Sequence, residues 1–307
     1  MTKVSIFVPT YNAGALWSNW ISLYHQCAIY EPIRLFCIDS ASSDQTRVLI
    51  ESTAFQVIEI KKEDFNHGGT RNLSLSLSDD DIFLFMTQDA LLVSKESIAE
   101  MIKPFADNSV AAVCGRQLPH DDANPIARHL RLFNYPEQSR VVSKKDSQAY
   151  GLKTVFLSNS FAAYRASALR SLGGFPNDVI FGEDMYLAAK MILNGYKIAY
   201  ADKACVKHSH NYTLMQELRR YFDIGVYHAT EPWIQQEFGG AGGEGKRFII
   251  SELKYLLKHA PLWIPRACIT NLCKIIGYKL GKNYKSVPHS LRLKLSMHKA
   301  YWSQKQR

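Results

Sequence analysis

Short apolar-rich runs and stretches of helical spacing take turns along the first two hundred residues. Val4–Val8, Arg34–Ile38, Phe55–Ile60 and Ile82–Met86 are each too short for a free-standing helix and read as strands. The last, Ile82-Phe83-Leu84-Phe85-Met86, is apolar throughout, as suits a central parallel strand covered on both faces. Leu16–Tyr24 and Thr46–Ser52 carry helical spacing between them. This β-α-β-α-β order predicts a parallel, doubly wound α/β sheet. Further on, the pattern predicts a helix over Lys95–Phe105, a short strand over Val110–Gly115, and extended Thr154–Leu157 and Phe161–Tyr164. A helix over Ala166–Leu172 is closed by Gly173-Gly174, and another starts at Glu183-Asp184 and ends at Gly195. Ile198–Tyr200 and Ala204–Val206 resume extended structure. Residues 116–147 are polar and broken by Pro119, Pro125 and Pro136, which predicts a long loop.

From Tyr212 the rhythm changes. Leu214, Leu218, Tyr221, Phe222 and Gly225 mark an amphipathic helix, and Gly239–Gly245 reads as a flexible joint. Phe248–Leu257 and Pro261–Leu280 have apolar faces studded with Lys and Arg. That composition fits helices lying in a membrane interface, and equally a basic-surfaced helical lid. The expected division is therefore residues 1–211 as an α/β domain and 212–307 as a helical, membrane-associating or lid region.

Charge sharpens that division. The 307-residue chain has a formal net charge of +9. Residues 246–307 hold fourteen Lys/Arg and one acid, Glu252, a net of +13, whereas residues 1–245 hold 23 Lys/Arg and 27 acids, a net of −4. Any anionic partner belongs to the tail. The six cysteines show no CxxC spacing and read as buried reduced thiols of a cytosolic protein. The first residues lead directly into a strand, without a signal-peptide layout. Ala260–Leu280, the best candidate for a spanning segment, is broken by Arg266, Asn271 and Lys274.

Candidate chemistry collects at strand ends. Thr87-Gln88-Asp89 follows the Ile82–Met86 strand, where open α/β sheets place ligands. Asp89 can hold a divalent cation against a diphosphate, or simply cap the next turn. Asp39 stands at a second strand end, as a ligand contact or a helix cap. In Lys61–Asn72, Gly68-Gly69 lets backbone approach a ligand closely, and Thr70 can cap a helix beginning at Arg71-Asn72. Such a helix start beside an Arg is an anion site, or a plain glycine turn. His67 is a ligand contact or a structural histidine. Glu183 and Asp184 open a helix, where the macrodipole alone favours acids. His208 and His210 fall on one side of a strand, as metal ligands or as surface histidines.

Taken as an ordered set, these motifs resemble an inverting family 2 glycosyltransferase of GT-A fold. The matching pieces are VPTYNAG at Val8–Gly14, Asp39 in IDSASSDQT, Asp89 in FMTQDA, and Glu183-Asp184 in FGEDMYLAAK followed by GYKIAY. DFNHGGTRN, FLSNSFAAYR at Phe156–Arg165 and HSHNYT at His208–Thr213 are similar to the bacterial rhamnosyltransferase branch, and GEGKRFIISELKYL and GYKLGKNYKSVP extend the likeness into the tail. The resemblance implies a nucleotide-sugar donor, dTDP-L-rhamnose foremost, with UDP-N-acetylglucosamine or UDP-galactose as alternatives. It implies that Asp39 bonds the pyrimidine base, that Pro9, Tyr11 and Asn12 line its pocket, and that His67, Gly68 and Arg71 sit near base and diphosphate. Gln88 and Asp89 fall on the donor side, Asp89 and His208 at the metal, and Asp184 is the catalytic base. Asn159, Ser160 and Glu183 are the acceptor-side candidates.

One departure bears on the metal. The first acid of the family's Asp-x-Asp motif is Thr87 here, so Mg²⁺ or Mn²⁺ would lean on the diphosphate, waters and His208. A single base with no nucleophile gives inversion, and at a helix start Asp184 is expected to stay ionised near neutral pH. The implied acceptor is a saccharide, free or polyprenyl-diphosphate-linked, met at an anionic membrane surface on the cytoplasmic face of the inner membrane. The basic tail also raises nucleic-acid binding, but its cations lie within apolar helical faces and no nucleic-acid fold signature accompanies them.

Overall fold

A computed structural model describes residues 2–27, 33–240 and 242–304. The chain forms two compact units. The first comprises residues 1–118, 135–177 and 183–208; the second comprises 119–134, 178–182 and 209–307.

The first unit is built on one nine-stranded sheet. Its strands are β1 (Val4–Thr10), β2 (Ile33–Asp39), β3 (Gln56–Glu59), β4 (Ile82–Met86), β5 (Leu91–Leu92), β6 (Val110–Leu118), β7 (Arg140–Val142), β8 (Phe161–Arg165) and β9 (Lys197–Lys207). They run in the order β3-β2-β1-β4-β8-β6-β9-β5, with β7 beside β9. The four strands from β3 to β4 are parallel, as their apolar runs and intervening helices require. Beyond β4 the sheet turns mixed: β8 pairs antiparallel with both β4 and β6, whereas β6 and β9 are parallel. Every residue of β4 is buried, and Phe7 packs on Phe36, Phe83 and Phe85 at the sheet's centre. On the other face Trp17 and Trp20 of α1 (Gly14–Cys27) stack and fill the core.

The remaining helices of this unit are short. They are α2 (Thr46–Glu51), α3 (His67–Asn72), α4 (Ser74–Leu77), α5 (Ser97–Ile102), α7 (Ser147–Tyr150), α8 (Ala166–Ser171) and α9 (Glu183–Leu193). β6 runs three residues past Gly115, and the two extended pieces expected near 198–206 are one strand, β9. Thr154 and Val155 lie in a 3-10 turn instead of extended chain, with β8 the only strand of that expected pair.

The second unit is helical. It contains α6 (Pro125–Asn134), α10 (Leu214–Thr230), α11 (Pro232–Phe238), α12 (Gly242–His259), α13 (Ile264–Lys282), α14 (His289–Leu295) and α15 (Lys299–Gln304). The expected loop over 116–147 thus holds a helix and a strand. Pro125 opens α6 at its first turn, where a missing N–H costs nothing, and Ile126, Ala127 and His129 are buried. The glycine joint is shorter than expected, because α12 already starts at Gly242; Ala241 lies outside the described residues. Thr213 caps α10 in a reciprocal box with Gln216.

Small residues let α10 and α13 approach closely. A Cβ on Gly277 would strike the Leu218 carbonyl, and one on Gly281 the Phe222 carbonyl. Among the described residues no helix is long and apolar enough to cross a membrane. All six cysteines are free; three are buried as expected, but Cys268 is exposed on α13.

Candidate active site

The loops after β1, β2 and β4 are cross-tied at the carboxyl edge of the parallel strands. Asp39, 1% exposed, accepts hydrogen bonds from Thr10 Oγ1 (2.9 Å), the Ser42 amide (2.9 Å) and Ser42 Oγ (2.6 Å). The Asn12 amide donates to Ser42 Oγ (2.9 Å), and Asn12 Oδ1 accepts from the Ser43 amide (2.8 Å). Asn12 and Ala41 take left-handed backbone, at φ 44° and 56°, to allow these crossings. Gln88 grips Tyr11 from the third loop: its Oε1 accepts from the Tyr11 amide (2.8 Å) and its Nε2 donates to the Tyr11 carbonyl (3.2 Å). Lys62 Nζ donates to the Tyr11 hydroxyl (2.6 Å) and lies 4.7 Å from its ring centre. Pro9, next to last in β1, lies beside Ile38. Pro9, Tyr11, Asn12, Asp39 and Gln88 are therefore brought together.

The His67–Arg71 segment is arranged differently from its sequence expectation. Asn66, not Thr70, caps α3, accepting from the Gly68 and Gly69 amides (3.0 and 2.9 Å). Gly68 is glycine because a Cβ would collide with the Pro176 carbonyl, so its bare face is taken up by packing. Arg71 is 5% exposed and turned toward an acid: its Nη1 lies 3.1 Å from Glu183 Oε1 and donates to the His67 carbonyl at 2.8 Å. Burial lowers the His67 pKa, and Arg71 adds to that effect while Glu183 opposes it.

Glu183 and Asp184 begin α9 with opposite electrostatic fates. Burial pushes the Glu183 carboxyl up, but Arg71, His67 and the Asn159 amide (Nδ2 to Oε1, 2.9 Å) outweigh it, and its pKa is lowered. Asp184 has no cation in contact among the described residues, and Arg71 lowers its pKa only as the least of several causes. Burial first, and the Glu183 charge second, raise it to about 7, against the Asn159 amide (3.1 Å) and Met185 amide (2.8 Å) that its oxygens accept from. The expectation of an aspartate kept fully ionised by its helix start is thus replaced by one that titrates near neutrality. Asn159, 2% exposed, sits between the two acids and is itself fixed by the Tyr164 hydroxyl (2.7 Å). Ser160 follows it, its carbonyl accepting from the Thr87 amide (3.3 Å).

Asp89 and His208 come together as expected, with His208 Nε2 3.4 Å from Asp89 Oδ2. The other ring nitrogen, Nδ1, bonds Gln117 Oε1 at 2.9 Å, and Gln117 Nε2 donates to Ser158 Oγ at 3.0 Å. A carbonyl oxygen can only accept, so Nδ1 carries a proton; Nε2 can then donate to Asp89 in the charged ring, and in the neutral ring it keeps its lone pair on that side. The neutral form is the tautomer a metal-binding imidazole needs. Thr87 Oγ1, where the motif's first acid would stand, is buried without a hydrogen-bond partner among the described residues. A carboxylate, an oriented imidazole nitrogen and an unpaired hydroxyl fit a divalent cation held jointly with a phosphate ligand.

Gln117, Ser158, Ser42 and Lys62 were not singled out from the sequence. Gln117, 1% exposed, follows Arg116 at the end of β6, where the sequence already reads as polar loop, so it left no clear signal. Through it the Ser158-Asn159-Ser160 loop links the Asp89–His208 pair to Asp184.

Residues 5–173 match the sequence profile described as glycosyl transferase family 2. The chain belongs to that family. It is an enzyme that transfers glycosyl groups, and its fold is of the GT-A type. The O-antigen chain rhamnosyltransferase RfbN of Salmonella typhimurium is 53% identical to this glycosyltransferase, covering 98% of this chain and 96% of that protein. The O-antigen chain rhamnosyltransferase WbaN of Salmonella anatum is 52% identical, covering 99% and 96%. Among solved structures, the mannosyltransferase PcManGT from Pyrobaculum calidifontis, in complex with GDP-Man and Mn²⁺, superposes with a TM-score of 0.59 at 21% identity, over 98% of this chain and 84% of that one. S. aureus TarS 1–349 in complex with UDP-GlcNAc gives 0.55 at 16% identity, over 92% of each chain. At these identities the structures speak to fold alone.

Proposed function

We propose that this glycosyltransferase moves L-rhamnose from dTDP-L-rhamnose, with inversion, onto a saccharide carried by a polyprenyl diphosphate, in assembly of a bacterial surface polysaccharide of O-antigen or capsule type. The observation that supports this most is the 52–53% identity, along nearly the whole of each chain, with two O-antigen chain rhamnosyltransferases. The first unit would carry donor binding and chemistry. The second, with the basic tail, would meet the anionic cytoplasmic face of the inner membrane, where such an acceptor is presented.

Pro9, Tyr11, Asn12, Asp39 and Gln88 form the base side of the donor site, and His67 and Gly68 its flank. Arg71 is committed to Glu183, so its charge serves the acidic pair rather than the diphosphate. Asp89 and His208 would hold the cation. When bound, that ion neutralises charge on the departing diphosphate.

Asp184 accepts the proton of the acceptor hydroxyl. The hydroxyl oxygen bonds to the anomeric carbon as the bond to the diphosphate breaks, and dTDP leaves with the electron pair. With a pKa of about 7, Asp184 is half-ionised at neutrality and well matched to a proton it must take only as the bond forms. Glu183, Asn159 and Ser160 line the acceptor side and set the base's position.

The test is a donor panel of dTDP-L-rhamnose, UDP-N-acetylglucosamine and UDP-galactose with Mn²⁺ or Mg²⁺. Thermal stabilisation and transfer to a lipid-linked saccharide would be measured, and the product anomer read by NMR. dTDP-L-rhamnose should stabilise and react with inversion. A larger effect from either UDP-sugar, or a retained anomer, would overturn the proposal.

A further inference from the structure

α13 is built inside out. Its packing face, turned to α10, carries Ala267, Thr270, Gly277, Gly281 and the buried cation Lys274. Lys274 Nζ lies 4.9 Å from the Phe248 ring centre, 5.6 Å from that of Tyr221 and 3.9 Å from Glu217 Oε1. The large aliphatics are on the opposite face. Ile269, Leu272, Ile275, Ile276 and Leu280 recur at helical spacing over three turns, and all are 36–56% exposed.

α12 repeats the arrangement. Its Glu252 and Leu256 are buried, whereas Ile249, Ile250, Leu253 and Leu257 are 41–59% exposed. The two helices are joined by the turn Pro261–Trp263, whose Leu262 is 92% exposed. Scattered surface leucines need no explanation, but a row of exposed aliphatics along each helix, with an exposed apolar turn between them, is more than a water-facing surface ordinarily carries.

The charges beside these stripes identify the occupant. At 100° per residue, Arg247, Lys254 and Lys258 border the α12 stripe along one edge, and Lys279 lies within the α13 stripe. α12 carries Glu244, paired with Arg247, and from there to the end of the chain the single acid is Glu252, which is buried. Glu244 neutralises only the Arg247 end of that border (2.9 Å), and the net cationic border that remains matches anionic phospholipid headgroups better than a protein partner of mixed charge.

We propose that α12, the Leu262 turn and α13 form a monotopic docking surface that lies in the headgroup–acyl boundary of an anionic bilayer, with the aliphatic stripes buried and the Lys/Arg edge at the phosphates. This deepens the membrane reading given above and rests on it. The spanning alternative is already disfavoured, since Lys274 and Glu217 lie buried in the packing between α10 and α13 and, among the described residues, no helix is long and apolar enough to cross a membrane.

The experiment uses the full-length protein and sedimentation with vesicles of phosphatidylcholine alone or mixed with phosphatidylglycerol, across a salt series. The protein should bind the anionic vesicles, with a salt-resistant remainder from apolar burial, and brominated lipid should quench Trp263 at the turn. Leu272→Glu with Ile276→Glu should weaken binding to anionic vesicles by roughly a hundredfold, because each buried aliphatic is worth about tenfold or more. The same variant should keep its thermal stability and its rhamnosyl transfer to a water-soluble acceptor. Unchanged vesicle binding by that variant, or no binding by the wild type at low salt, would overturn the proposal. A dimer in light scattering that dissociates on the same substitutions would assign the face to a second copy instead. Loss of donor-specific transfer with vesicle binding intact would count against the donor reading, not against the surface.

Discussion

Glu183→Gln should make the enzyme active at lower pH. The substitution keeps the shape of the side chain and an oxygen to accept from Asn159 Nδ2, but removes the buried charge that is the second cause of the raised Asp184 pKa. A neighbouring carboxylate in a buried site is worth on the order of one to two pKa units. It also leaves Arg71 without its counter-charge, which favours ionised Asp184 further. The Asp184 pKa should therefore fall from about 7 to roughly 5–6. Burial, the larger cause, is untouched and keeps the value above that of a free aspartate. A base works when deprotonated, so kcat/KM rises with pH through this pKa, and the acid limb should move down by the same one to two units. At pH 6 the wild-type carboxylate would be about a tenth ionised and the variant about half or more. The assay is the kcat/KM profile between pH 5 and 9, at a temperature where both proteins stay folded, since uncoupling a buried ion pair costs about 3 kcal/mol or more. An acid limb that stays in place, or moves up, would refute the assignment of Asp184 as the titrating base.

Asp184→Asn should leave donor affinity nearly intact and lower turnover by roughly two to four orders of magnitude; retention of more than about a tenth of wild-type turnover would place the base elsewhere. Asp89→Ala should abolish the gain in donor affinity produced by Mn²⁺ or Mg²⁺, measured by calorimetry with and without chelator. Gln117→Leu releases His208 Nδ1 and should weaken that metal dependence roughly 10–100-fold while leaving metal-free donor binding alone. Gly68→Ala forces a Cβ onto the Pro176 carbonyl and should cost about 1–3 kcal/mol in denaturant unfolding, whether or not donor is present.

The parallel half of the sheet was legible because its apolar runs are short, uninterrupted and separated by helical spacing; β4 begins and ends where the pattern says. The strand-end residues Asp39 and Asp89 followed from that, since a strand's carboxyl end is fixed once the strand is. What escaped depends on partners far along the chain. That β8 runs antiparallel between β4 and β6 is decided by pairing, and no local pattern records direction. α6 was hidden by prolines that read as loop punctuation, although Pro125 sits at a helix start. Gly68 looked like a ligand approach, yet its reason is a carbonyl more than a hundred residues away. The resemblance points to Asp184 as base and its helix start to an ionised side chain, but its environment, with Arg71 in contact with Glu183 and acting on Asp184 only weakly, is a tertiary fact.

The cross-tied loops after β1, β2 and β4 carry a thermodynamic consequence. Tyr11 is held on both backbone groups by Gln88, Asn12 is stitched to Ser42 and Ser43, and Asp39 closes the remaining turn. A loop left slack would have to surrender conformational entropy each time a nucleotide arrived, about 1–2 kcal/mol for every residue it froze. Here that ordering was completed when the chain folded. Binding enthalpy at this edge is then not spent on organising the receptor, and a small, polar nucleotide can be held by few contacts.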